Sequence, residues 1–152
     1  MLSRLKICIV TPAPPGSLHG NRFTALRWAN FLNKLGHHID IQENWNHQTC
    51  DVLIALHALR SHHAIQAFKT AFPNKPVILI LTGTDLYRDL ESHPEVLISM
   101  AMADQIVTLQ AQALELIPLK YRAKASVIYQ SMPALNRQCP PKNSFLVSIF
   151  SN

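Results

Sequence analysis

The chain has 152 residues, enough for one domain of ordinary size with a buried core. Hydrophobic residues make up 48% and charged residues 15%, which excludes a disordered chain. The formal net charge is +5, but the lysines and arginines are scattered with no aromatic-interleaved basic run, so small anionic ligands are expected rather than nucleic acid.

Cys8, Cys50 and Cys139 are odd in number and widely spaced, so no disulfide framework is expected and a reducing compartment is. The first apolar stretch is brief and is broken by Pro12, Pro14 and Pro15, fitting neither a signal peptide nor a membrane span. A cytoplasmic location is the expectation.

In chain order, Leu5 to Val10 carries Ile7, Ile9 and Val10 and ends at prolines, which predicts a buried strand. The loop VTPAPPGSLHGNR, Val10 to Arg22, follows. Gly16 and Gly20 allow positive φ and close approach of a ligand. Asn21 is the expected N-cap of a helix that places Ala25, Trp28, Ala29, Leu32 and Leu35 on one face, and Gly36 supplies its stop. Arg22 is unusual there, because a cation in the first turn opposes the macrodipole. A bound anion would reverse that sign, so Gly20, Asn21 and Arg22 form a candidate phosphate or pyrophosphate site. The spacing is not the G-x-G-x-x-G dinucleotide fingerprint. The alternative is a Pro-rich surface loop in which Arg22 faces water.

Further strands are expected at His38 to Gln42, Asp51 to Leu56, Val77 to Leu81, Gln105 to Leu109 and Ala125 to Tyr129. Helical patterns fall between them at Ser61 to Ala71, Pro94 to Ala103 and Ala111 to Leu116. This βαβ alternation predicts an α/β domain over 1–130, a Rossmann-like doubly wound parallel sheet of about six strands with right-handed crossovers. Residues 131–144, opening SMPALNRQCPPKN, are polar and Pro-rich and read as a linker. The apolar run Phe145 to Phe150, within 145–152, reads as the first strand of a second, carboxyl-terminal domain; the alternative is an edge strand of the same sheet.

Open α/β sheets bind ligands beyond the carboxyl ends of their strands. The residues there are Gly20, Asn21 and Arg22; His57 and Arg60; Thr82, Gly83, Thr84, Asp85, Tyr87 and Arg88 in TGTDLYRDL; Gln110; and Gln130. They are expected to converge on one rim as substrate-binding residues. His57 and Asp85 are the candidates for catalysis, the first as a polarising or proton-transferring group, against the alternatives of a hydrogen-bonded structural histidine and a helix-capping carboxylate. His62 and His63 are adjacent on a helical pattern with no further ligand at suitable spacing, so no metal is expected.

VTPAPPGSLHGNRFTALRWANFL, LIALHALRSHHAI, LTGTDLYRDL and VIYQS together resemble the amino-terminal half of GT-B fold glycosyltransferases, family 4-like, and within them the selenosugar synthases of selenoneine biosynthesis. The resemblance runs through nearly the whole chain. It implies a two-domain enzyme whose carboxyl-terminal domain holds most of a UDP-sugar and whose amino-terminal domain, this chain, holds the acceptor. Transfer of N-acetylglucosamine from the UDP-sugar to selenophosphate is the implied reaction, with no cofactor and with the chain inactive alone. Thr82 stands where many family 4 enzymes have a histidine, and the paired-glutamate motif of their donor domain is not in this chain. The same rim would also serve a non-catalytic module binding a phosphate-bearing metabolite, and a remnant of a truncated gene would need no function.

Overall fold

The computed structural model describes residues 3–131, so the linker from residue 132 onward and the apolar run Phe145 to Phe150 lie outside the described residues. Six short segments of the described residues form strands: β1 Lys6–Val10, β2 His38–Gln42, β3 Val52–Leu56, β4 Val77–Leu81, β5 Gln105–Thr108 and β6 Ala125–Val127. They pair in parallel in one sheet of order β2-β1-β3-β4-β5-β6. Six helices accompany them: α1 Gly20–Lys34, α2 His62–Ala71, α3 Thr84–Tyr87, α4 Pro94–Met102, α5 Ala113–Leu116 and α6 Leu119–Arg122.

Period-two alternation sends successive strand residues to opposite faces. On one face Ala25, Trp28, Ala29 and Leu32 of α1 cover Ile7, Ile9, Ile54, Leu56 and Ile80. On the other, Ile65 and Phe68 of α2 and Val96 and Met100 of α4 cover Cys8, Val10, Leu53, Leu79 and Ile106. The chain leaves β1 toward β2, then turns back past β1 to β3 and β4. A reversal of direction with the crossover hand kept transfers the helices to the opposite face, which makes the domain doubly wound and sets a switch point between β1 and β3.

The β2 to β3 connection has no helix. Trp45 fills its place, buried edge-on against Phe68 at 5.3 Å and Phe72 at 6.0 Å, with its indole N–H donating to the Gln48 carbonyl at 3.1 Å.

Several boundaries differ from the sequence expectation. The N-cap of α1 is His19, not Asn21, because the Arg22 and Phe23 amides already close on the His19 carbonyl and leave Asn21 inside the first turn. Gly20 is therefore helical, and positive φ in this loop falls on Gly16, at 78°. Leu35 is past the last turn and 62% exposed, while Gly36 takes φ of 93° at the helix stop. The sixth strand ends at Val127 because its neighbour offers no partner beyond Thr108, which pairs with Val127. The pattern at Ala111 to Leu116 yields only the single turn α5; Pro118 then opens a separate turn, α6.

Candidate functional site

All strands being parallel, their carboxyl ends share one edge, and the exits of β1, β3 and β4 are neighbours there. Beyond β1, the Thr11 amide extends the ladder to the Gln42 carbonyl at 2.9 Å. The Thr11 side chain is fully buried and its hydroxyl has no hydrogen-bond partner. The Ser17 hydroxyl and Arg22 Nε, also buried atoms of this segment, are likewise unpartnered. No acidic residue stands in the first turn of α1. The helix start thus presents the Gly20 and Asn21 amides and a half-buried guanidinium with nothing negative beside them in its own turn.

Beyond β3, His57 is 2% exposed and holds φ of 74°, a left-handed conformation seldom taken by a side-chain-bearing residue. Its amide donates to the Ile80 carbonyl at 3.0 Å, keeping it in the ladder with β4. Its Nδ1 accepts from the Arg60 amide at 3.3 Å, and its Nε2 lies 2.9 Å from Thr84 Oγ1. An Nδ1 that accepts leaves the proton on Nε2, so the ring donates to the Thr84 hydroxyl, which keeps its own proton to donate. Burial, above all, pushes the imidazole below its ordinary pKa, and the Arg60 and Arg88 cations act the same way against Asp85 and Asp89. His57 is therefore a neutral ring that orients Thr84.

Beyond β4, Gly83 turns the chain at φ of 125° and caps α3. Asp85 is fully buried and accepts from the amides of Ala58 at 2.9 Å, Thr82 at 3.1 Å and Gly83 at 2.9 Å. Three backbone donors saturate this carboxylate and tie the β3 exit to the β4 exit. It is placed to hold the rim rather than to touch a ligand.

Asp89 was not among the residues singled out from the sequence. Only 2% exposed, it accepts from Arg88 Nε at 2.8 Å through Oδ1, while Oδ2 is buried without a hydrogen-bond partner, 3.9 Å from His57 Nε2. The Arg88 guanidinium holds this carboxyl below its usual range. The rest of the Arg88 side chain is open to solvent, as is Arg60.

Gln110 donates through Nε2 to the Tyr87 hydroxyl, joining the β5 and β4 exits. Gln130 instead turns back to α1, donating to Thr24 Oγ1 at 2.7 Å, and Thr24 donates in turn to the Gly20 carbonyl at 3.0 Å. Beside this contact lies a mostly apolar groove of about 230 Å³, lined among others by Arg27, Trp28, Phe31, Ile128 and Tyr129. His62 is used inside the protein: Ser99 donates to the Ala58 carbonyl at 2.7 Å, so it accepts from His62 Nδ1 at 2.9 Å. Among the described residues, no group of three or more His, Cys, Asp or Glu side chains is placed to hold a metal ion.

No family model matches the chain, and no curated protein matches it. Among solved structures, a response regulator from Thermotoga maritima is similar at 15% identity, covering 73% of this chain and 89% of its own, with a TM-score of 0.48. The fold is a Rossmann-like α/β domain with one parallel sheet of six strands among the described residues. Among its described residues no helix is long and apolar enough to cross a membrane.

Proposed function

We propose that this domain is the acceptor-side half of a cytoplasmic GT-B type glycosyltransferase that moves N-acetylglucosamine from a UDP-sugar to selenophosphate. The observation that carries this proposal is the polar make-up of the edge beyond the β1, β3 and β4 exits, where α1 starts with Arg22, suited to a phosphoryl group, and where the Thr84 hydroxyl is hydrogen-bonded to the buried ring of His57. The motifs that resemble selenosugar synthases supply the choice of reaction.

A selenophosphate acceptor is already anionic near neutral pH and needs no strong general base. It needs positioning and charge stabilisation. The rim matches that demand, since Asp85 is saturated by amides and His57 has both ring nitrogens occupied, while Arg22, Arg60 and Arg88 supply cations. A cleft enzyme also needs its second wall to exclude water and align the reactants.

The test is release of UDP from UDP-N-acetylglucosamine in the presence of selenophosphate, by the 152-residue chain alone and joined to a carboxyl-terminal donor-binding domain. Turnover is expected only in the joined form, and is expected to fall in Arg22→Ala and Thr84→Val. Anion binding without turnover in either form would instead make the domain a binding module for phosphate-bearing metabolites. Neither binding nor turnover would overturn both.

A further inference from the structure

A second concave surface differs in make-up from the rim. It is the groove of about 230 Å³ between α1 and the residues that follow β6. Thr24, Arg27, Trp28 and Phe31 recur along α1 at spacings of three and four, so they line one side as a continuous helical face. Ile128 and Tyr129 stand on the other side, and both are exposed, as is Phe31. The bond from Gln130 to Thr24 bridges the two sides at one end.

Three aromatic side chains meet one cation here. The Arg27 guanidinium carbon stands 5.9 Å from the centre of the Phe31 ring. Its Nε is buried with no hydrogen-bond partner, and among the described residues no carboxylate pairs with it. Neither α1 nor residues 128–131 hold an acidic side chain. A cation stripped of part of its water and given no counter-charge attracts an anion more strongly than a fully hydrated surface arginine does. The remaining lining is mostly apolar and offers ring faces, which an inorganic anion would leave uncovered. The volume lies below the roughly 300 to 1,000 Å³ of ordinary ligand pockets, too small for a nucleotide sugar and sufficient for one or two fused rings.

We infer that this groove is a binding site for a small aromatic carboxylate, its ring held among Trp28, Phe31 and Tyr129 and its carboxylate paired with Arg27. A planar ring has few rotamers to lose and packs offset or edge-on against the lining rings. The carboxylate accepts two parallel N–H bonds from the guanidinium, which gives Arg27 the counter-charge it lacks. The site is separate from the rim: Arg27 serves one and Arg22 the other.

The test titrates 2-naphthoate into the full 152-residue chain, with 2-naphthamide as its uncharged counterpart and inorganic phosphate as an anion without a ring. Binding is read by calorimetry and by the amide and indole signals in nuclear magnetic resonance. One site is expected, with a dissociation constant at or below about 1 mM and signal shifts centred on residues 24–32 and 128–131. Affinity is expected to fall about tenfold or more for 2-naphthamide, and for 2-naphthoate on Arg27→Gln, while Arg22→Ala leaves it unchanged. Phe31→Ala, at an exposed ring, should weaken the acid and the amide alike, and the melting temperature of each variant shows that its fold is kept. The comparison of acid with amide on the parent chain decides the matter even where a variant does not fold. Equal binding of the two overturns the proposal, as do indifference to Arg27→Gln, shifts at the rim in place of the groove, competition by phosphate, or no binding of 2-naphthoate up to about 10 mM.

Discussion

Replacing Asp85 separates a carboxylate that holds the rim from one that reacts. Asp85→Ala removes the acceptor shared by the Ala58, Thr82 and Gly83 amides and leaves them facing a small void. An orphaned buried donor costs about 1 to 3 kcal/mol, and part of the total is recovered because the carboxylate no longer has to be desolvated. The expected loss is about 3 to 5 kcal/mol, a large share of the total stability of a domain this size. The melting temperature should fall by about 10 to 20 °C. Asp85→Asn keeps the shape but sets an amide N–H₂ against a backbone N–H, so an intermediate loss is expected. The assays are urea unfolding and calorimetry, with UDP release measured on the joined form. Should Asp85→Ala melt like the parent while transfer is abolished, the carboxylate acts on substrate and the structural assignment is wrong.

Arg22→Ala should weaken phosphate or selenophosphate binding about tenfold to a hundredfold, the worth of one charge-assisted contact, with the melting temperature unchanged or slightly raised; titration calorimetry beside a melt checks both halves. Thr84→Val keeps the shape but strands the His57 Nε2–H, so about 1 kcal/mol of stability and roughly tenfold in ligand affinity should go together. The folded state keeps His57 and His62 neutral at a pKa below the 6.5 of the unfolded chain. Their contribution is therefore complete above that pH and is lost as pH falls through it, with a slope of up to about 2.7 kcal/mol per pH unit. Urea unfolding from pH 7.5 to pH 5 should show that slope, and a His57→Asn, His62→Gln variant should flatten it; an unchanged slope would contradict the assignment.

The sheet was legible because its central strands β1, β3 and β4 are compact aliphatic runs, with Ile7 and Ile9, Leu53 and Ile54, and Leu79 and Ile80 carrying the core on both faces. Single-turn helices such as α3 and α6 give no periodic signal over four residues, and they were not foreseen. The rim residues could be placed at strand ends, but their division of labour could not. Asp85 closes on Ala58, 27 residues away, and no local pattern announces that contact. The orientation of Thr84 by His57 depends on a positive φ that a histidine rarely adopts, so sequence propensity points elsewhere. Thr11 and Asp89 were visible only as polar letters inside VTP and LYRDL; what distinguishes them is a buried oxygen without a hydrogen-bond partner, Oγ1 in the first and Oδ2 in the second.

The bond from Gln130 to Thr24 spans 106 residues of sequence and joins the last described stretch to the first turn of α1. Mechanically it ties the end of the described chain to α1, beside the groove that Ile128 and Tyr129 share with Trp28 and Phe31. A pull on the chain beyond Ser131, of the kind an attached body exerts when it swings, is delivered through Gln130 onto the turn that holds Arg22 before it reaches β6. Relative motion of such a body would thus be felt at the helix start through this contact. Gln130→Ala would cut that line while leaving the sheet and its rim in place.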